Sequence, residues 1–131
     1  MVREKYQIFL FNYPTGNPIA RNAADLRDSL EWFRKTHDPK GRNPKMRRMV
    51  VLGHSMGGVI SNMQIRDSGE NLYRTVFRKS LDELNLDDES RGQIQRLAYF
   101  KPNPDIDRTM LLAAPLRGSA FASSRVGRLG A

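Results

Sequence analysis

The stretch MVVLGHSMGGVI, residues 49 to 60, constrains the fold of this chain more than any other part of it. A short apolar run, Met49-Val50-Val51-Leu52, feeds into Gly53-x-Ser55-x-Gly57, and a helix-like run from Met56 to Asp67 leaves it. When a strand turns into a helix within one residue, the two arms approach so closely that side chains two positions before and after the turn would collide. Glycine at 53 and 57 removes those side chains, and Gly58 offers a small surface one turn into the helix for a neighbouring strand. The spacing therefore predicts Ser55 on a strained strand-to-helix turn, with its hydroxyl clear of the backbone at the C-terminal edge of a sheet. The helix that starts there aims its amides and the positive end of its dipole at the same point, so the Met56 N–H is a candidate oxyanion donor. His54 fills the variable position of the motif, from which a side chain points away from the serine.

Other glycine-rich turns fit less well. A phosphate-cradling loop requires Lys-Ser or Lys-Thr after its last glycine, and Val59-Ile60 stand there instead. A dinucleotide fingerprint requires Gly-x-Gly-x-x-Gly, which Gly53, Ser55 and Gly58 do not supply. A plain strand–helix connection remains the bland alternative to a nucleophile elbow.

Around the motif the pattern alternates. Tyr6 to Asn12 reads as a buried strand closed by Tyr13-Pro14-Thr15-Gly16. Asn17 is placed to cap a helix beginning at Pro18, and Ile19, Ala23, Leu26, Leu30 and Phe33 fall on one face of it before Asp38-Pro39 ends it. The elbow helix should end near Ser68-Gly69. From 70 to 107 the chain reads as a helical insertion, with amphipathic pieces at Leu72–Leu84 and Asp87–Phe100, before Pro102 and Pro104 break it ahead of the next strand. Leu72, Tyr73, Val76, Phe77, Tyr99 and Phe100 would either line a pocket as a cap over the site or only pack the insertion onto the body. The expected architecture is α/β. One domain, 1–131, carries a three-stranded parallel sheet with the elbow strand in the middle, flanked by helices on opposite faces.

Three stretches carry a family resemblance. GHSMGG after a Val-rich strand resembles the α/β-hydrolase superfamily, in particular its lipase- and esterase-like members. RTMLLAAPLRGSAFA, 108 to 122, is similar to the strand after the elbow helix in those relatives, with Leu116 where they often carry histidine. FLFNYPTGNPIARNAADLRDSLEWF resembles the strand and helix before the elbow. The resemblance implies a partial α/β-hydrolase fold and a serine hydrolase of carboxylic esters, small or lipid, working through an acyl-enzyme on Ser55 with Met56 in the oxyanion hole. It implies no metal and no organic cofactor.

Such chemistry also requires a base, and an acid to orient it. In the resembled family these follow the serine as Asp or Glu and then His, yet the only histidines are His37 and His54. Nothing before Tyr6 supplies the loop that gives a second oxyanion amide. The expectation is a central fragment, inactive alone, whose acid and base lie beyond Ala131. The alternative is a hydrolase scaffold that binds without catalysing.

Composition narrows the remaining classes. A hydrophobic content of 39% with 27% charged residues suits a soluble globular domain. No apolar run approaches the roughly 18 residues a membrane helix requires, and the N-terminus lacks the features of a signal peptide. The absence of cysteine excludes disulfides and leaves the compartment undecided. The net charge of +8 gathers before the elbow strand in Arg34, Lys35, Lys40, Arg42, Lys45, Arg47 and Arg48. The plainest reading of that run is a solvated loop, the next an anionic headgroup or membrane surface, and the third a nucleic-acid-binding module. No nucleic-acid partner is expected, because no aromatic residues interleave the cations, and no protein partner is evident.

Overall fold

A long amphipathic helix, α1 (Ile19–His37), opens the ordered architecture of the computed structural model, which describes residues 5–117. Pro18 stands just outside it with ψ 137°, and the helix stops at Asp38, whose N–H donates to the Arg34 carbonyl at 2.8 Å. Its buried face is Asn22, Ala23, Ala24 and Leu26. Small residues there let the next helix approach closely.

A loop and a single 3-10 turn, Pro44–Arg47, lead into β1 (Met49–His54). Ser55 then turns the chain into α2 (Met56–Asn62). The insertion contributes one helical turn, α3 (Asn71–Arg74), a 3-10 turn at Leu81–Glu83, and α4 (Asp88–Ala98). The last element is β2 (Ile106–Leu112). β1 and β2 pair in parallel, from Met49 opposite Ile106 to His54 opposite Leu112, with one register shift after Met49. The chain is thus of α/β type, with helices flanking a small parallel sheet.

Among the described residues the sheet has two strands, not the three expected. The segment 6–12 runs beside the body without joining a ladder. Its aromatic residues are engaged elsewhere: Phe9 meets Phe33 of α1 edge-on at 4.8 Å, and Phe11 stacks on Tyr13 at 5.8 Å. Leu10 is left 86% exposed. Tyr6, Ile8 and Phe9 are exposed as well, so the segment is neither paired nor buried as its composition suggested.

The helices also differ from expectation. α1 and α2 pack against each other rather than across the sheet, with Ala23, Leu26 and Ile60 forming one buried cluster. Phe11, Tyr13, Leu30, Met56 and Met63 close around it. With 6–12 outside the sheet, α1 belongs to no crossover between paired strands, and it packs on α2 instead of on a sheet face of its own. α2 is shorter than the run to Asp67 suggested. The buried Gln64 side chain explains this: its Nε2 donates to the carbonyls of Ile60 and Ala23, both at 3.0 Å. The Ile60 carbonyl would otherwise have accepted the Gln64 backbone N–H, which donates instead to Ser61 at 3.0 Å and tightens the turn.

The insertion packs onto α1. Arg96 of α4 donates to Asp25 at 2.5 Å and to Asp28 at 2.6 Å, and those hydrogen bonds raise its pKa above the ordinary range. Arg27 lies 4.3 Å over the Phe100 ring and donates to the Arg96 carbonyl, while burial lowers its pKa. Tyr73 is buried between Phe77 and Tyr99, at 4.9 and 5.5 Å, and its hydroxyl donates to the Lys79 carbonyl at 2.8 Å, folding the chain back after α3. That reversal breaks the longer helix expected over Leu72–Leu84.

Candidate active site

Ser55 occupies the junction of β1 and α2 with φ 52° and ψ −124°, a region that L-residues rarely adopt. Several contacts hold it there. Its N–H donates to the Leu112 carbonyl at 2.9 Å, extending the parallel ladder one residue past β1. Its own carbonyl accepts from the Gly58 N–H at 2.9 Å, closing the first turn of α2. The residue is exposed, and its side chain makes no capping bond, so the hydroxyl is not committed to holding the helix end.

Gly53 and Gly58 act as their spacing suggested, each against a different neighbour, whereas Gly57 faces no strand atom that a side chain would strike. A Cβ on Gly53 would overlap the Gly57 carbonyl and stand 2.5 Å from Ser61 Oγ. On Gly58 it would overlap the Ala114 methyl, where the chain leaving β2 crosses the start of α2. On Gly57 it would meet only the Tyr13 hydroxyl, at 3.3 Å. Met56 starts α2, so its amide has no acceptor within the helix, while its side chain packs on the core and fixes the turn from below. His54 ends β1, exposed beside the serine in sequence and paired with Leu112 across the ladder.

Two features of this end of the sheet were not legible in the sequence. Ala113, directly after β2, also has positive φ, at 47°. It and Ser55 are the two non-glycine residues of this kind among the described residues, and they sit side by side at the C-terminal ends of paired strands. Concentrated backbone strain of this kind is characteristic of functional ends of folds. Tyr13 is the second feature, since its hydroxyl lies over the first turn of α2. The loop that presents it is pinned by the fully buried Asn22, whose Nδ2 donates to the Pro14 carbonyl at 3.0 Å. Only the Tyr-Pro pair preceding a helix hinted at such a placement.

Other sequence candidates are not brought to Ser55. His37 ends α1 against Phe33, at 4.5 Å, and Trp32, at 6.5 Å. That end of α1 lies at the start of β1, because Arg34 pairs with Asp105, whose carbonyl accepts from the Met49 N–H at 3.0 Å. The insertion is anchored at the same far end: the Asn103 N–H donates to the Gln64 carbonyl at 2.8 Å, and the Phe100 N–H to Ser68 Oγ at 2.9 Å. Of the residues considered for a cap, Tyr73, Phe77 and Tyr99 stack on one another and Phe100 lies under Arg27. Gly118 and Ser119, and the tail from Ser124, lie outside the described residues. Among the described residues no cluster of three His, Cys, Asp or Glu could hold a metal ion.

Comparison with protein-family models, with curated proteins and with solved structures gives no match.

Proposed function

We propose that the chain carries the nucleophile portion of a serine hydrolase acting on carboxylic esters, within a partial α/β-hydrolase fold. The observation that carries this reading is Ser55 itself: an exposed serine with positive φ between a parallel strand and a helix, its hydroxyl uncommitted. A structural serine at a helix start is favoured because its side chain caps the helix, and this one does not. Strain without a capping bond is hard to account for by stability alone.

In the proposed reaction the Ser55 hydroxyl attacks the ester carbonyl. Its proton passes to a base, the tetrahedral oxyanion is held by the Met56 N–H, and collapse expels the alcohol. Water then attacks the acyl-enzyme and releases the acid. The base and its orienting acid come from outside the described residues. The substrate is an ester of a small molecule or a lipid, and the step calls for no cofactor or metal.

A second reading, a hydrolase scaffold that binds a ligand without turnover, is favoured by the histidines: His37 lies at the far end of β1 and His54 in the variable position of the turn. One experiment separates the two. The full reading frame containing this chain should hydrolyse a short activated ester, and Ser55→Ala should abolish turnover, a loss of about 10⁴-fold or more. Residues 1–131 alone should show little turnover, because base, acid and a second oxyanion donor would all be missing. Ser55-independent hydrolysis by the full frame, or none at all, refutes the enzyme reading.

A further inference from the structure

We infer that the loop over residues 38–48 docks this protein on an anionic lipid surface, and that docking leaves Ser55 facing away from that surface. Lys40, Arg42, Lys45, Arg47 and Arg48 fall within nine positions, and no acidic residue occurs between Asp38 and Asp67. All five are exposed. The preceding cations are neutralised, Arg34 by Asp105 at 3.6 Å and Lys35 by Glu31 at 2.6 Å. The five loop cations have no acidic partner among the described residues.

The loop that carries them is built rather than slack. Asp38, its one acid, is buried and committed to the backbone: its carboxylate accepts from the N–H of Arg42 at 2.8 Å and of Asn43 at 3.1 Å. The Gly41 N–H donates to the Asp38 carbonyl at 3.0 Å, and Gly41 has φ 62°, a conformation that glycine adopts without strain. The Asn43 side chain then accepts from the Lys45 N–H at 3.0 Å and starts the 3-10 turn. Backbone order is in place before a partner arrives, so binding costs less ordering entropy.

Beside this loop stands Trp32, 64% exposed, its ring 6.5 Å from that of His37, the residue just before Asp38. An amphipathic indole next to a cluster of cations suits the headgroup layer of an anionic bilayer. A single-stranded nucleic acid would call for a series of stacking rings along the cationic track, and residues 38–48 contain no aromatic residue. The loop enters β1 at Met49 and Ser55 follows the other end, roughly 20 Å away at a strand's rise per residue. Taken with the proposed ester hydrolysis, on which this second half rests, the substrate would be an ester arriving from solvent rather than a lipid of the docked bilayer.

The test is co-sedimentation of the chain with phosphatidylcholine vesicles, plain or containing about a third phosphatidylserine. Emission of Trp32, the only tryptophan, is followed in parallel. Binding should require the anionic lipid, weaken with salt and shift the emission to the blue. Each cation near the surface contributes about fivefold in affinity, so K45E/R47E/R48E should bind at least a hundredfold more weakly. The charge-matched variant R74E/R78E/K79E should bind within about threefold of the parent, and circular dichroism checks that both variants remain folded. Equal loss in the two variants, an unshifted Trp32 emission on bound vesicles, or capture by single-stranded RNA without vesicle binding would overturn the proposal. None of these readouts involves turnover, so failure here is distinct from failure of the hydrolase reading.

Discussion

Replacing Gly53 by alanine should be among the most damaging single-methyl changes available in this chain, while the same change at Gly57 should be nearly silent. At Gly53 the new Cβ overlaps the Gly57 carbonyl and stands 2.5 Å from Ser61 Oγ. Ordinary contact lies near 3.4 Å or more, and the Gly57 carbonyl is backbone that cannot rotate away. Relief therefore requires α2 to back off β1 by about 1 Å, which loosens Ile60 from Ala23 and Leu26 in the one buried apolar cluster of the described residues. Overpacking costs about 1–3 kcal/mol where neighbours can adjust, so with backbone as the obstacle we expect about 3 kcal/mol. At Gly57 the added methyl meets only the tip of Tyr13, at 3.3 Å, and alanine gains about 1 kcal/mol over glycine in a helix. The net effect should lie within about 0.5 kcal/mol of zero. Urea unfolding followed by far-ultraviolet circular dichroism reads both as midpoint shifts at constant slope. An unchanged midpoint for G53A, or equal losses for the two variants, would refute the close approach of strand and helix on which the elbow depends.

Ser55→Gly should stabilise the fold by about 1 kcal/mol. Backbone strain of this kind costs about 1–3 kcal/mol, from which the extra unfolded-state freedom of glycine subtracts about 0.5–1 kcal/mol; Ser55→Ala, still at positive φ, should gain nothing by the same unfolding assay. Arg96→Met should cost about 1 kcal/mol, discounted for the partial exposure of the Asp25 and Asp28 pairs. That loss should shrink in high salt, and hydrogen exchange should speed up in α4 before β1. Acid should weaken the fold at several exposed carboxylates, in α1 where Lys35 holds Glu31 below its ordinary range as well as in and beside the insertion. Asp67 is held below its ordinary range by Lys101 and the Gly69 N–H, Glu83 by the Ser80 N–H, and Asp87 by the Ser90 N–H. Each contributes stability above its unfolded pKa that is lost as pH falls through the lowered folded value. Unfolding midpoints should stay flat from pH 7 to about 5 and decline below about pH 4, less steeply in Asp87→Asn.

What could be read from the sequence was what local sterics determine. The glycines around Ser55 located the turn to the residue, because the close approach of strand and helix leaves no room for a side chain at 53, nor for one at 58 against Ala114. Asp87 before α4 was equally legible: its carboxylate accepts from the Ser90 N–H at 2.7 Å, as an acidic residue at a helix start does. The misjudged elements are those decided by partners distant in sequence. Tyr6 to Asn12 has the composition of a strand, but a strand exists only through its ladder, and Phe9 is taken up by Phe33. The elbow helix looked continuous to Asp67 because nothing in its composition shows that Gln64 will turn its side chain onto its own helix and onto Ala23.

Buried polar residues were the least visible class, and they set the geometry of the proposed site. Asn22 lies on the apolar face of α1, where composition alone would place a misfit. Yet its bond to the Pro14 carbonyl fixes the loop that brings Tyr13 over α2. Asp38 reads as a helix stop, but its carboxylate shapes the basic loop at the opposite end of β1. The two ends of this strand are thus organised by one buried amide and one buried carboxylate. The amide donates to backbone while its Oδ1 is left without a partner, and the carboxylate accepts from two backbone N–H groups. Such bonds cost little when made and about 1–3 kcal/mol when a partner is removed. Substitution of either residue should therefore disturb its own end of β1 and leave the other in place. A separation of that kind is what a protein would need if it held a surface at one end and worked on a substrate at the other.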